Sequence, residues 1–153
     1  MTRARLIQLA AGGSAALLLG ALAFQHIGGL APCTLCIWQR WPHLIAVVAG
    51  LLALRLGGPA LPVLGALAVL GSAGIAGFHA GVEQGWWAGL ASCSAGSLAG
   101  ISTADLLNPA VDVAAPVRCD KVAWAFAGLS MAAWNRVISE GLAGVWLLAA
   151  RRA

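Results

Sequence analysis

Charge is what this sequence has least of: Asp, Glu, Lys and Arg make up 9% of its 153 residues, against 61% hydrophobic ones. A soluble domain of this length needs a polar surface to cover its core, and so few charges cannot supply one. No charged residue stands between Arg5 and Arg40, and none occurs in the 27 positions between Arg55 and Glu83. Each gap exceeds the ~20 residues that cross a bilayer. The net charge of +4 comes from basic residues that are scattered or terminal. No basic stripe is interleaved with polar readout residues, so nucleic acid is not an expected partner and the lipid bilayer is.

The basic residues read instead as topology signals. Arg3 and Arg5 precede the first apolar run, Arg55 closes the second, and Arg151 and Arg152 follow the last; loops on the cytoplasmic side are enriched in such residues. Both termini are therefore expected in the cytoplasm. The first apolar run, Leu6 to Ile27, has 22 residues, longer than the roughly 7 to 15 of a signal-peptide core, so an uncleaved span fits better than a cleaved leader.

Glycine and proline punctuate the rest. Gly28-Gly29 and Pro32 end the first helix, Gly57-Gly58-Pro59 ends the second, and a third span rich in Gly65, Gly71, Ser72, Gly74 and Gly77 suits close helix approach in lipid. The expected helices are 6–27, 37–56, 61–80 and 131–150, with loops at 28–36 and 81–130. The fourth is the least regular, since it must include Arg136 and Glu140, which at i,i+4 can pair. Six of the seven tryptophans (Trp38, Trp41, Trp86, Trp87, Trp124, Trp134) fall near the loop ends of these helices, as an aromatic interface belt requires. The fold class expected is all-α: a four-helix transmembrane bundle in a single domain, 1–153, with two periplasmic loops.

Both loops hold cysteine. Cys33 and Cys36 form a C-x-x-C pair, and Cys93 and Cys119 lie 26 positions apart in the long loop. Residue 37 is Ile, so the His that a c-type haem needs after the second cysteine is missing, and no second C-x-x-C completes a zinc ribbon; no metal is expected. Four cysteines on the outer face sit where disulfides form and persist, and a C-x-x-C pair favours an available thiolate.

Pro32-Cys33-Thr34-Leu35-Cys36-Ile37-Trp38-Gln39-Arg40 closely resembles the P-C-x-L-C-[IWY]-x-x-R signature of the disulfide bond formation protein B (DsbB) family. The resemblance extends to Gly81-Val82-Glu83-Gln84-Gly85-Trp86-Trp87, to Cys119-Asp120, and to Trp124, Phe126, Gly128-Leu129-Ser130-Met131 and Trp134. It implies a thiol oxidase of the bacterial inner membrane whose partner is a DsbA-like periplasmic dithiol. On that resemblance Cys93 takes the mixed disulfide with DsbA, the Cys93–Cys119 disulfide is passed on by Cys119 exchanging with Cys33, and Cys36 delivers electrons to a membrane quinone, ubiquinone or menaquinone. Arg40 matches a quinone-site residue of the family, and His79 is a candidate beside it for the protons that quinone reduction consumes. His26 and His43 are expected at the interface.

Two rivals stand beside this reading. A vitamin K epoxide reductase-like protein also joins helices, loop cysteines and a quinone, but there the C-x-x-C follows the loop pair, whereas here it precedes it. A non-catalytic membrane protein with fixed structural disulfides would share the composition, and its cysteines would not exchange with DsbA.

Overall fold

A computed structural model of the chain describes residues 1–94 and 117–152. Among them are four helices of 20 residues or more: α1 (Arg3–His26), α2 (Thr34–Ala53), α3 (Ala60–Glu83) and, after a short α4 (Ala91–Ser94) and a two-stranded hairpin, α5 (Met131–Ala150). α1, α2 and α3 are each long and apolar enough to cross a membrane. The middle of the loop expected at 81–130, residues 95–116, lies outside the described residues.

The helix boundaries follow from caps and breakers. Thr2 accepts from the Arg5 amide at the start of α1, and Ser130 accepts from the Ala133 amide at the start of α5, each supplying an acceptor to a helix end that has none of its own. The turn between α2 and α3 relies on Gly58, whose φ of 84° only glycine adopts readily. Arg3 closes the same end of the molecule: its guanidinium donates to the carbonyls of Ala53 (3.1 Å), Leu56 (3.4 Å) and Gly58 (3.0 Å).

Each long helix packs chiefly on two others, α1 on α2 and α5, and α3 on α2 and α5. At the arginine end the core is Ile7, Ala10, Ala46, Ala53, Ala66, Val69, Ala143, Trp146 and Ala149. Trp146 is fully buried and lies where α2 and α3 offer only hydrogen: a Cβ on Gly65 would come within 2.7 Å of its ring. The bulky aliphatic residues face outward instead, among them Leu19, Ile45, Val48, Leu51, Leu67 and Leu148. Small side chains inside and large apolar ones outside is the arrangement of helices that associate in an apolar solvent.

At the opposite end β1 (Ala125–Phe126) and β2 (Leu129–Ser130) pair antiparallel, Ala125 opposite Ser130 and Phe126 opposite Leu129. Ala127 (φ 50°) and Gly128 (φ 79°) make the turn, both left-handed as tight hairpins require. Phe24, Trp124, Phe126 and Trp134 stack around this hairpin, with centroids 5.0 to 6.3 Å apart. Trp134 also donates to the Phe126 carbonyl at 3.0 Å.

Candidate redox site

The first cysteine pair is built into a helix start rather than a loop. Pro32 precedes Cys33, which is the N-cap of α2, and its sulfur accepts the Cys36 amide hydrogen at 3.2 Å. Helix geometry then brings the two sulfurs to 2.7 Å. The hydrogen bond with Cys36, together with burial, pushes the Cys33 thiol up. Cys33 and Cys36 thus lie three residues nearer the helix than expected: α2 begins at Thr34, not near residue 37, because the cysteine side chain itself supplies the cap.

His79 and Glu83 come from the last turn of α3. They share a face at i,i+4, with His79 Nε2 3.8 Å from Glu83 Oε1 and both side chains 5% exposed. His79 Nε2 lies 3.6 Å from Cys33 Sγ. Glu83 in turn accepts from Ser130, the cap of α5, so the outer ends of α3 and α5 are tied together beside the dithiol.

Cys93 of α4 and Cys119 are joined in a disulfide, their Cα atoms 5.1 Å apart, inside the usual range for such bridges. The Cys119 amide donates to the Cys93 carbonyl at 3.2 Å. Both pairs lie in one apolar cluster with Leu35 and Val82, Cys119 with no exposed surface. Next along the chain, Arg118 donates to Asp120 at 2.8 and 2.6 Å and holds its carboxyl down to about 2, so this exposed pair keeps its charges across the whole neutral range.

A cavity of about 250 Å³ opens beside the dithiol, with Cys33, Cys36, Arg40, His43, His79 and Glu83 on its polar side and Leu17, Ala21 and Phe24 of α1 on its apolar side. Arg40 lies one turn past Cys36; its Nη1 donates to Gln25 at 2.7 Å, while its Nε is buried with no partner among the described residues. His43 Nδ1 is likewise buried and without a partner among the described residues.

The matching family spans residues 3–149 and is described as Disulfide bond formation protein DsbB. The chain belongs to the DsbB family. It is 36% identical to Disulfide bond formation protein B of Methylococcus capsulatus, over 88% of this chain and 85% of the relative. It is also 36% identical to the protein of that name from Polaromonas naphthalenivorans, over 95% and 90%, and 34% identical to that of Albidiferax ferrireducens, over 88% and 84%. No solved structure matches it.

In this DsbB-family chain the six residues singled out from sequence divide into two groups. Cys33, Cys36, Arg40 and His79 line the cavity; Cys93 and Cys119 share one buried cluster with Cys33. His43 departs from its expected interfacial place: it is 2% exposed, drawn inside by Asn135 Oδ1 at 3.0 Å. Gln39, which the signature includes, and Ser72, expected only to allow close packing, join Asn135 and Ser139 in a buried polar interior next to His79 that the sequence analysis does not predict. The signal that would have found them is spacing: Gln39 with His43, and Asn135 with Ser139, are both i,i+4 polar pairs on otherwise apolar spans.

Proposed function

We propose that the protein is a quinone-dependent thiol oxidase of the bacterial inner membrane that reoxidises a DsbA-like periplasmic dithiol and so sustains protein disulfide formation. Its four long helices form a single transmembrane bundle, with both termini in the cytoplasm and both cysteine pairs toward the periplasm. The observation that carries this reading is the packing of both cysteine pairs into one cluster, with Cys33 and Cys36 also lining the cavity.

The chain's own part is a sequence of thiol–disulfide exchanges, in which a thiolate attacks one sulfur of a disulfide and the other sulfur leaves. A thiolate of the partner attacks Cys93, and Cys119 leaves; the partner's second thiol then resolves the mixed disulfide, so the pair of electrons rests on Cys93 and Cys119. Attack of Cys119 on Cys33 of an oxidised Cys33–Cys36 pair expels Cys36, and attack of Cys93 on Cys119 then re-forms the Cys93–Cys119 disulfide and expels Cys33, so the electrons rest on Cys33 and Cys36; the shared cluster of Cys119 and Cys33 supports that order. The His79 ring hydrogen is placed to stabilise charge on Cys33 as it develops.

A planar ring bearing two oxygen acceptors fits the cavity: α1 supplies an apolar wall, and the unpartnered Arg40 Nε supplies a donor. A quinone held there, ubiquinone or menaquinone, would supply the terminal two-electron acceptor. Arg40 orients it, Cys36 stands on the cavity wall to give up electrons, and Phe24 and Leu17 keep water away from the apolar side.

Purified protein given reduced DsbA and a soluble ubiquinone analogue should lose quinone absorbance at a rate that scales with enzyme. Cys36→Ser should keep forming the mixed disulfide yet abolish quinone loss. Quinone turnover unchanged in Cys36→Ser would sink the relay, and cysteines that never exchange with DsbA would favour fixed structural disulfides.

A further inference from the structure

A run of buried polar side chains passes through the apolar interior from His79 to His43, and its heavy-atom distances decide where its hydrogens are. Gln39 Nε2 lies 3.1 Å from the Leu35 carbonyl and 3.0 Å from His79 Nδ1. A backbone carbonyl only accepts, so the end of the amide that faces it is the NH₂. The same NH₂ faces His79 Nδ1, which therefore accepts. The ring is then neutral, with its one hydrogen on Nε2, because an imidazolium has no lone pair left at Nδ1.

The other end of the amide continues the logic. Gln39 Oε1 accepts from Asn135 Nδ2 at 2.7 Å. Ser72 reaches the same orientation independently: its hydroxyl donates to the Gln39 carbonyl at 3.1 Å, leaving its oxygen to accept from Asn135 Nδ2 at 3.1 Å. Asn135 Oδ1 is then offered to His43 Nε2 at 3.0 Å and to the Ser139 hydroxyl at 3.2 Å. His43 Nε2 must carry hydrogen. Its Nδ1 is bare, for a hydrogen there would be a buried donor without an acceptor.

We propose that Gln39 and Asn135 are positioning residues, a two-amide clamp oriented by the Leu35 carbonyl and the Ser72 hydroxyl that locks His79 and His43 in their Nε2–H tautomers. The lock has two effects. It aims the single N–H of His79 toward Cys33 Sγ at 3.6 Å and Glu83 Oε1 at 3.8 Å. It also gives His43, a residue of the cavity wall, a bare ring nitrogen suited to accept from an O–H or N–H of whatever the cavity holds. With hydrogen on Nε2, His79 offers the two neighbouring sulfurs a donor rather than a lone pair, although the three groups stand close enough to ligate a metal ion. Only the benefit to Cys33 rests on the oxidase reading; the tautomers do not.

The test is the long-range proton–nitrogen spectrum of the full chain labelled with ¹⁵N-histidine, in a His26→Gln background that removes the exposed ring. Both remaining rings should show hydrogen on Nε2. Gln39→Glu should change one and spare the other: a carboxylate cannot donate, so His79 takes its hydrogen onto Nδ1, while Asn135 still donates to the carboxylate and His43 stays as it was. In the same variant the Cys33–Cys36 pair, deprived of its donor, should shift about tenfold toward the disulfide in equilibrium with dithiothreitol. A Nδ1–H tautomer at either ring of the unsubstituted network overturns the proposal, even if Gln39→Glu does not fold. So does an unchanged His79 in Gln39→Glu. Nε2–H rings in a protein that never reduces quinone would sink the oxidase reading and leave the clamp standing.

Discussion

Arg40 is satisfied at one end and unsatisfied at the other. Nη1 is committed to Gln25, and Nε is buried with nothing to donate to. Leaving a buried donor unpaired costs about 1–3 kcal/mol, and an acceptor arriving in the cavity would recover it. Arg40→Ala should therefore raise the quinone KM about tenfold or more, with little effect on mixed-disulfide formation with DsbA, as read by steady-state kinetics and non-reducing gels. A fall in kcat at unchanged KM would instead make Arg40 a residue that acts through Cys36. At this scale the sequence was legible where chemistry depends on local spacing, as in Cys33, Cys36 and Arg40. For Gln39, His43 and Asn135 it offered only the i,i+4 polar spacing on apolar spans, because what they do depends on a meeting between two helices far apart in the chain. Asn135 and Gln39 are 96 positions apart, a separation that no local pattern encodes.

Among the elements, α5 was the least regular expectation and it falls at Met131–Ala150, the bounds read from sequence. The Ser130 cap starts it, and Arg136 and Glu140 pair at 3.0 Å with both side chains about half exposed, so its charges lie away from the packed interior. α2 starts three residues before its expected position because Cys33, not a usual capping residue, supplies the acceptor at its N-terminus. The small residues of α3 divide by what faces them. Gly65 receives the Trp146 ring, whereas Gly71 and Gly74 have nothing within 4 Å. Gly65→Ala should destabilise the protein by about 1–3 kcal/mol, measured as a lower melting temperature in detergent, while Gly74→Ala should leave it unchanged or slightly raise it. Equal effects at the two positions would mean that Trp146 does not depend on the gap at Gly65.

For the molecule as a whole, the outward apolar side chains and inward small ones give a direction to solvation but not to orientation. Orientation rests on the arginines, and it is open to a direct check. A single cysteine placed at Gly57 in a variant without the native cysteines should resist a membrane-impermeant maleimide in intact spheroplasts and react once the membrane is opened; one placed at Lys121 should react in both. The reverse pattern would invert the proposed topology. Arg3 adds something that charge counting does not contain. All three of its acceptors are carbonyls at the end of α2 and in the turn beyond it, so the first residues of the chain cannot find their partners until more than fifty later ones have been made. The bond closes only around a finished helical hairpin. Arg3 is thus a clasp between the start of α1 and the end of α2, a contact that exists only where both helices and the turn after them are in place.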